Sequence, residues 1–317
     1  MTYLYLFNDT LLPLPNHLPY VQRLPTRKTM IHIQISGGLG NQMFQYAFAQ
    51  ALAHKQDKQK VCLDISPLQE DGYRHYELHH FMGSLPLLTA EDKNFFLQRQ
   101  SNFFQKLKNK ILPYYKQSLV KELYYHYDNN LLKINQDAVV IGYFQSEKYF
   151  LDIETKIRKG FRFKNPPQGA NREMLRRIQE TQAVSIHIRR GDFVGNPLHP
   201  LQSEQFFKEA ISILQSKISN LHLFLFSNDI AWVREHLQFD IPYTIVDIND
   251  EKNGFEDMRL MSACKHHIIA NSSFSWWGAW LNPDRNKIVI APAKWVNSTL
   301  DYYKNVNDII PESWIKI

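Results

Sequence analysis

The sequence predicts an α/β protein made of two doubly wound halves. Short apolar runs of strand length alternate with longer runs of helical periodicity, and a Pro-Pro-Gln-Gly segment at 166–169 interrupts the alternation. Alternating strands and helices favour parallel sheets, whose ligands bind at the carboxyl ends of the strands. Two such halves joined by a short linker would leave a cleft between them.

The first half, residues 30–165, begins with a strand, a glycine turn and a helix. The turn Gly37-Gly38-Leu39-Gly40 separates an apolar run from a segment of helical spacing, which is typical of a βαβ unit. The expected elements are strands at 30–36, 61–65 and 139–144 and a helix at 42–53.

The second half, residues 170–317, repeats the strand and helix alternation several times, which favours a doubly wound sheet. The expected strands are 183–188, 221–226, 243–246, 267–270 and 287–290, and the expected helices are 203–216, 229–237, 255–264 and 275–282.

Charge and cysteine content narrow the function classes. Lys and Arg number 37 against 31 Asp and Glu, for a net charge of +6 and a pI of about 9.1. This excess suits a phosphate-bearing ligand or an anionic membrane surface, but it is too small to favour nucleic acid as a partner. Two cysteines are too few for a disulfide framework or a thiolate zinc site, so a reducing cytoplasm is expected.

Two segments bear on localisation. Residues 1–29 contain four prolines and no secretion signal, and we expect either a flexible extension there or a start assigned too far upstream. Residues 95–116 combine aromatic and basic side chains at helical spacing. This helix is interpreted either as packed with a solvated face or as a peripheral contact with the cytoplasmic face of the inner membrane.

The segment His187-Ile188-Arg189-Arg190-Gly191-Asp192 follows an expected strand, so its arginines would emerge where a ligand binds. An arginine fork binds phosphate oxygens bidentately and keeps its charge as a diphosphate leaves. Alternation along the strand assigns Arg189 to the ligand and Arg190 to a structural salt bridge. The alternative interpretation is a solvated strand end.

The glycine turn and the amides that follow it form a second candidate. Gly38 and Gly40 would let the backbone approach a ligand, and Asn41 and Gln42 would offer amides to sugar hydroxyls at a helix start. The segment lacks the dinucleotide and phosphate-loop patterns, so dehydrogenase and NTPase functions are excluded at this level. A tight structural turn is the alternative.

A third candidate loop follows the strand at 267–270. It contains Asn271, Ser272, Ser273 and Phe274, whose hydroxyl and backbone groups at a helix start suit an anion. The alternative is an ordinary N-cap by Ser273 or Ser275. Upstream, the carboxylate of Asp257 can accept two N–H groups from a guanine edge, or it merely complements a helix dipole.

No metal requirement is expected. The pair His266-His267 lacks a ligand spacing, and Asp247-Ile248-Asn249-Asp250 is the nearest approach to a paired-carboxylate motif.

Three long segments, 37–53, 187–194 and 256–281, resemble in sequence, order and spacing the bacterial α-1,2-fucosyltransferases of glycosyltransferase family 11. The resemblance covers nearly the whole chain from Met30. It implies a GT-B fold, with two Rossmann-like doubly wound domains facing across a cleft. It also implies an inverting transfer of L-fucose from GDP-β-L-fucose to the 2-hydroxyl of a terminal β-galactose, without metal or other cofactor. The acceptor would be an O-antigen, lipopolysaccharide or blood-group-H-like glycan.

The resemblance also implies residue roles. Arg189 would hold the β-phosphate, His187 would lie beside guanine and ribose, and Asp257 would read guanine. The resemblance does not settle the proton acceptor. Asp192 is the candidate because it is the carboxylate nearest in sequence to Arg189, and the alternative is that it only orients Arg190 or a backbone turn. The remaining expected contacts are the loop Asn271, Ser272, Ser273 and Phe274 with phosphate, and Gly38, Gly40 and Asn41 with fucose and acceptor. The alternatives are a GT-B enzyme for another GDP-sugar and a non-catalytic glycan- or nucleotide-binding module.

Overall fold

The structure, a computed structural model, describes residues 29–55, 60–94, 111–297 and 299–317. The expected extension at 1–29 lies outside these residues except for Thr29, and so does most of the expected helix at 95–116. The described part contains two separate parallel sheets with helices between the strands, which confirms the predicted two-sheet α/β architecture of the GT-B class.

The first sheet has four parallel strands in the order β2-β1-β4-β3. Strand β1 is buried on both sides, as expected for an inner strand of a parallel sheet. The order in which strands are added to the sheet reverses between the parallel neighbours β1 and β4, so a crevice opens beyond their carboxyl ends. The strands are β1 Met30–Gln34, β2 Lys60–Asp64, β3 Leu119–Lys121 and β4 Ala138–Ile141, and the helices are α1 Leu39–Lys55, α2 Ser66–Asp71 and α3 Glu154–Gly160.

The second sheet has six parallel strands in the order β10-β9-β8-β5-β6-β7. Its topological switch point lies between β5 and β8, which pair directly. The strands are β5 Gln182–Ile188, β6 Leu221–Ser227, β7 Tyr243–Ile245, β8 His266–Ile268, β9 Val289–Ala291 and β10 Ile315–Lys316. The helices are α4 Gly169–Gln179, α5 Glu204–Gln215, α6 Ile230–His236, α7 Gly254–Ala263 and α8 Ser273–Leu281.

The two halves pack against each other through α1 and α8. The ring of Phe44 on α1 lies 4.5 Å from the ring of Trp276 and 4.9 Å from that of Trp277, centroid to centroid. The indole N–H of Trp277 donates to the carbonyl oxygen of Gly40 over 3.0 Å. Trp276, Trp277 and Trp280 are all buried. These tryptophans therefore form the core between the halves and do not present a surface to carbohydrate.

The carboxyl-terminal segment returns to the first half. The backbone N–H of Tyr125 donates to the carbonyl oxygen of Tyr302 over 2.8 Å, and the Tyr302 hydroxyl donates to the buried Glu122 over 2.9 Å. In the ranges that the structure describes, no helix is long and apolar enough to cross a membrane.

Candidate active site

The two topological switch points meet at Asn41. The Ser273 hydroxyl, which follows β8, donates to Asn41 Oδ1 over 2.8 Å. Gln145, which follows β4, donates its amide to the same oxygen over 2.7 Å. Because Asn41 itself follows β1, loops from three strand ends and from both halves converge at one side chain.

The glycine turn at the start of α1 is fixed by close packing and by Gln42. A Cβ added to Gly40 would lie 2.4 Å from the backbone carbonyl carbon of Ser273, so only glycine fits there. The fully buried Gln42 amide donates to the carbonyl oxygens of Gly37 and His75 and accepts from the N–H of Glu77. The expectation that Gln42 would bind a sugar hydroxyl is therefore wrong, because loop backbone occupies its amide.

Arg189 and the backbone of residues 187–192 that carries it, which we call the clamp, emerge from the carboxyl end of β5. His187 is 4% exposed, and its ring centroid lies 5.6 Å from that of Phe274 on α8. Arg189 donates from Nη2 to Asp192 Oδ1 over 2.5 Å, and its guanidinium lies 5.3 Å from the ring centroid of Phe193. The segment thus lies beside the amino end of α8, which faces the crevice.

Unpartnered nitrogens are concentrated at this site. Among the described residues, His187 Nδ1, Arg189 Nε and His199 Nδ1 are buried without a hydrogen-bond partner. A buried unpaired polar group costs about 1–3 kcal/mol, so three of them around one segment mark it as a candidate binding site for a polar ligand. Burial, reinforced by the charge of Arg189, lowers the pKa of His187 to about 3. This histidine is therefore neutral and can share a hydrogen bond with a ligand.

Arg190 points away from the clamp, in agreement with the salt bridge predicted from strand alternation. Its Nε lies 3.3 Å from Asp229 Oδ2, and its guanidinium lies 3.9 Å from the ring centroid of Trp232. The Arg190 backbone N–H donates to Asn228 Oδ1 over 2.9 Å. This bond to Asn228 fixes the backbone between the two arginines.

Gly191→Ala tests this backbone support. Gly191 has a φ of 44°, and an added Cβ would lie 2.2 Å from Asn228 Nδ2. We expect the variant to break the bond between Asn228 and Arg190, to displace the clamp, and to lower kcat/KM up to about 100-fold. The control is Gly169→Ala, where φ is 50° but an added Cβ meets nothing within 4 Å. Equal kcat/KM in the two variants would contradict the prediction.

The loop after β8 presents backbone to the crevice. Ser272 is the N-cap of α8, since its hydroxyl accepts from the N–H of Phe274. The alternative interpretation of the loop as an N-cap by Ser273 or Ser275 therefore named the wrong residues. The buried Asn271 donates to the carbonyl oxygen of Trp295 and accepts from Gln202. With these side chains engaged, the helix start can meet an anion through its backbone N–H groups.

Asp257 belongs to a separate polar cluster. It lies in the first turn of α7 and accepts from Asn249 Nδ2 over 2.7 Å, while Asn249 is bonded in turn to Asn171 on α4. Burial raises the pKa of Asp257 to about 7, against the bond from Asn249. Within the described ranges, no hydrogen bond or ion pair joins this cluster to the clamp, so only a ligand spanning both would connect them.

The His266-His267 pair and the Asp247 segment, which were considered for metal binding, make hydrogen bonds and ion pairs within the protein. His267 lies on the inner strand β8, where its ring nitrogens are bonded to the Ser185 hydroxyl and the Asn282 amide. Asp247 pairs with Arg234. In the part of the chain that the structure describes, no three His, Cys, Asp or Glu side chains are grouped to hold a metal ion.

Sequence reasoning missed Arg74 and His199 at the site. Arg74 of the first half lies 3.8 Å from Asp192 Oδ2 and 3.3 Å from Glu251 Oε1, and therefore bridges the cleft. His199 stacks on Phe193, with ring centroids 4.2 Å apart. These residues lie in segments without strand or helix periodicity, so the sequence offered no signal for them.

Comparison with known proteins gives the family context. The chain is 34% identical to an α-1,2-colitosyltransferase of Escherichia coli, over 91% of this chain and 99% of that protein. It is 30% identical to the Escherichia coli O-antigen biosynthesis glycosyltransferase WbnK, over 89% of this chain and 99% of that protein. A galactoside 2-α-L-fucosyltransferase of Caenorhabditis elegans is 28% identical, over 55% of this chain and 51% of that protein.

Among solved structures, fucosyltransferase NodZ from Bradyrhizobium is similar with a TM-score of 0.44 and 12% identity, over 81% of this chain and 95% of that one. The sequence pattern of glycosyl transferase family 11 matches residues 16–317, a span that begins ahead of Met30. The chain therefore belongs to glycosyl transferase family 11.

Proposed function

We propose that this glycosyltransferase is an inverting, metal-independent α-1,2-fucosyltransferase. It moves L-fucose from GDP-β-L-fucose to the 2-hydroxyl of a terminal β-galactose. The observation that carries the proposal is the set of buried, unpartnered nitrogens of His187, Arg189 and His199 at the carboxyl end of β5. A diphosphate supplies the acceptor oxygens that they lack.

The proposed reaction is a single displacement across the cleft. The acceptor hydroxyl attacks the anomeric carbon while the bond to the β-phosphate oxygen breaks. Arg189 and the backbone N–H groups at the start of α8 stabilise the negative charge that GDP gains. On the opposite side, the Gly38 to Gly40 turn and Asn41 border the space for fucose and acceptor. We propose residues 30–165 as the acceptor-side domain and 170–317 as the donor-side domain.

We assign Asp192 to orienting Arg189. Its Oδ1 accepts from Arg189 over 2.5 Å, and its Oδ2 lies 3.8 Å from Arg74. With both oxygens directed at arginines, the carboxylate holds the clamp in place, while the proton of the acceptor hydroxyl requires another group. The sequence-based role of Asp192 as proton acceptor is therefore not the one we propose.

Guanine recognition by Asp257 gives a pH prediction. Because the pKa of Asp257 is raised to about 7, the carboxyl is protonated at lower pH and cannot then accept two guanine N–H groups. We expect GDP affinity to fall as pH drops below 7 and to level off above 8. The pKa of His187, lowered to about 3, keeps that residue neutral throughout this range.

Calorimetric GDP titrations from pH 5.5 to 8.5 measure this effect. Asp257→Asn should retain only the pH dependence of the terminal phosphate of GDP, whose second pKa is about 6. Above pH 8 it should bind GDP about 10- to 100-fold more weakly, from about 1.5–3 kcal/mol for bonds to a charged group. The exposed Asp240 provides the matched control, Asp240→Asn. The same pH dependence in the unmodified protein and in Asp257→Asn would exclude Asp257 as the guanine reader.

A second donor is favoured by one comparison. The relative that is 34% identical over nearly all of its length is an α-1,2-colitosyltransferase. Colitose is fucose without the 3-hydroxyl. A site that makes a hydrogen bond to this hydroxyl would select fucose, and a site that lacks the bond would accept colitose. GDP-colitose is therefore the second candidate donor, with the same linkage.

The donor assignment is tested by following GDP release with GDP-fucose, GDP-colitose and GDP-mannose at equal concentrations, each with a panel of β-galactosides. We expect the highest kcat/KM with GDP-fucose and negligible turnover with GDP-mannose. A higher kcat/KM with GDP-colitose than with GDP-fucose would identify GDP-colitose as the donor. Turnover with none of the three donors would refute the proposed function.

We further propose that the enzyme acts in the cytoplasm on a lipid-linked acceptor, with peripheral contact to the inner membrane. The net charge of +6 and the similarity to an O-antigen biosynthesis glycosyltransferase support this location. Sedimentation with anionic and with neutral vesicles measures it. Equal binding to the two would contradict an electrostatic contact.

A further inference from the structure

Glu77 places a carboxyl group at the amino end of α1, beside the glycine turn. Its backbone N–H donates to Gln42 Oε1 over 2.9 Å, which fixes the residue against the first turn of the helix. Its side chain accepts a hydrogen bond from the backbone N–H of Leu39, the first residue of α1. The carboxyl group therefore lies at the carboxyl end of β1, where the first sheet opens toward the cleft.

The charged residues near Glu77 belong to the cleft between the two halves. The guanidinium of Arg74 lies 3.7 Å from the position of a Cβ on Gly38 and reaches across the cleft to Asp192 and Glu251. Both Arg74 and Glu251 act electrostatically on the Glu77 carboxyl group. Glu77 is therefore next to the residue that spans the gap between the glycine turn and the clamp.

We propose that Glu77 is the catalytic base that removes the proton of the acceptor 2-hydroxyl, an inference that rests on the proposed transfer reaction. The hydroxyl oxygen forms a bond to the anomeric carbon while the bond from that carbon to the β-phosphate oxygen breaks. The bonding electron pair leaves with GDP, and the hydroxyl proton passes to the Glu77 carboxylate and then to water.

Its surroundings suit Glu77 to this role. It is only partly exposed, and burial raises its pKa to about 7. Arg74 and the Leu39 N–H oppose this rise, whereas the charge of Glu251 adds to it. A base is most effective when its pKa lies near the working pH. Asp192, by contrast, has both oxygens directed at arginines.

A purely structural role for Glu77 would be to cap α1 through the Leu39 N–H. Glu77→Gln separates the roles, because the glutamine oxygen can still accept this bond while the amide cannot take up a proton. The matched control is Glu209→Gln, the same exchange at an exposed position on α5.

We expect Glu77→Gln to lower kcat about 10²- to 10⁴-fold, with thermal unfolding and GDP affinity unchanged. The pH profile of kcat at saturating GDP-fucose should rise through about pH 7 in the unmodified enzyme, since Glu77 must be ionised, and this rise should be absent from the residual activity of the variant. At saturation the effect of Asp257 on donor binding no longer enters the rate. Azide supplies a second readout because it is an anion and needs no base. Azide transfer from GDP-fucose should be equal in the variant and the unmodified enzyme.

Retained kcat in Glu77→Gln would overturn the proposal, and so would a matching loss of glycan and azide transfer, which would indicate a structural role. Failure of the reaction itself is distinguishable, since the unmodified enzyme would then release no GDP with any of the donor and acceptor pairs.

Discussion

Replacing Arg189 by alanine is expected to reduce kcat by about 10³-fold or more, the range for an arginine that stabilises a phosphoryl leaving group. The guanidinium emerges from the end of β5, is oriented by Asp192 and has a buried Nε without a partner among the described residues. Its charge is needed most when the glycosidic bond breaks, so the loss should appear in kcat as well as in KM.

Steady-state kinetics with GDP-fucose measure this loss, and thermal unfolding shows whether the fold survives. Arg176→Ala is the matched control, because Arg176 is exposed on α4 and its ion pairs among the described residues are with the neighbouring Glu173 and Glu180. We expect the control to retain kcat. An Arg189→Ala enzyme with near-normal kcat would refute the proposed role of Arg189 in stabilising the departing GDP.

Gly40→Ala is expected to destabilise the protein and to inactivate it. The added Cβ would lie 2.4 Å from the carbonyl carbon of Ser273 and 2.5 Å from the N of Phe274. Because both are backbone atoms, the clash can be relieved only by a shift of the backbone. Helices α1 and α8 must then separate, which weakens the bonds from Trp277 to Gly40 and from Ser273 to Asn41. Overpacking of this kind costs about 1–3 kcal/mol.

The displacement also moves the start of α8 away from the diphosphate, so kcat/KM should fall about 100-fold. Urea unfolding and GDP release measure the two effects. The control is Gly254→Ala in the first turn of α7, where an added Cβ meets nothing within 4 Å. Unchanged stability of Gly40→Ala would show that the two helices do not need this close approach.

Apolar periodicity predicted the inner strands well and the marginal elements poorly. Strand β5, expected at 183–188, is found at Gln182–Ile188, because a buried parallel strand has a continuous apolar run. Strand β3 was not predicted, since its three residues have only Val120 buried. Helix α4 was missed because it begins at Gly169, inside the segment interpreted as a linker, and buries only Met174 and Ile178.

The site was predictable where a loop follows a strong strand. His187, Arg189 and Ser273 were found in this way, and strand alternation also separated Arg190 from its neighbour. Glu77 and Arg74 precede a short 3-10 turn and follow no long strand, so their approach to the clamp depends on how the two halves pack. Long-range packing of this kind leaves no periodic signal in the sequence.

The most direct test of the proposed reaction is the nuclear magnetic resonance spectrum of the product formed from GDP-β-L-fucose and a β-galactoside. We predict an α-linked fucose on the galactose 2-hydroxyl, because a single displacement at the β-configured donor inverts the anomeric centre. A β-linked product, or fucose on any other hydroxyl, would contradict the account.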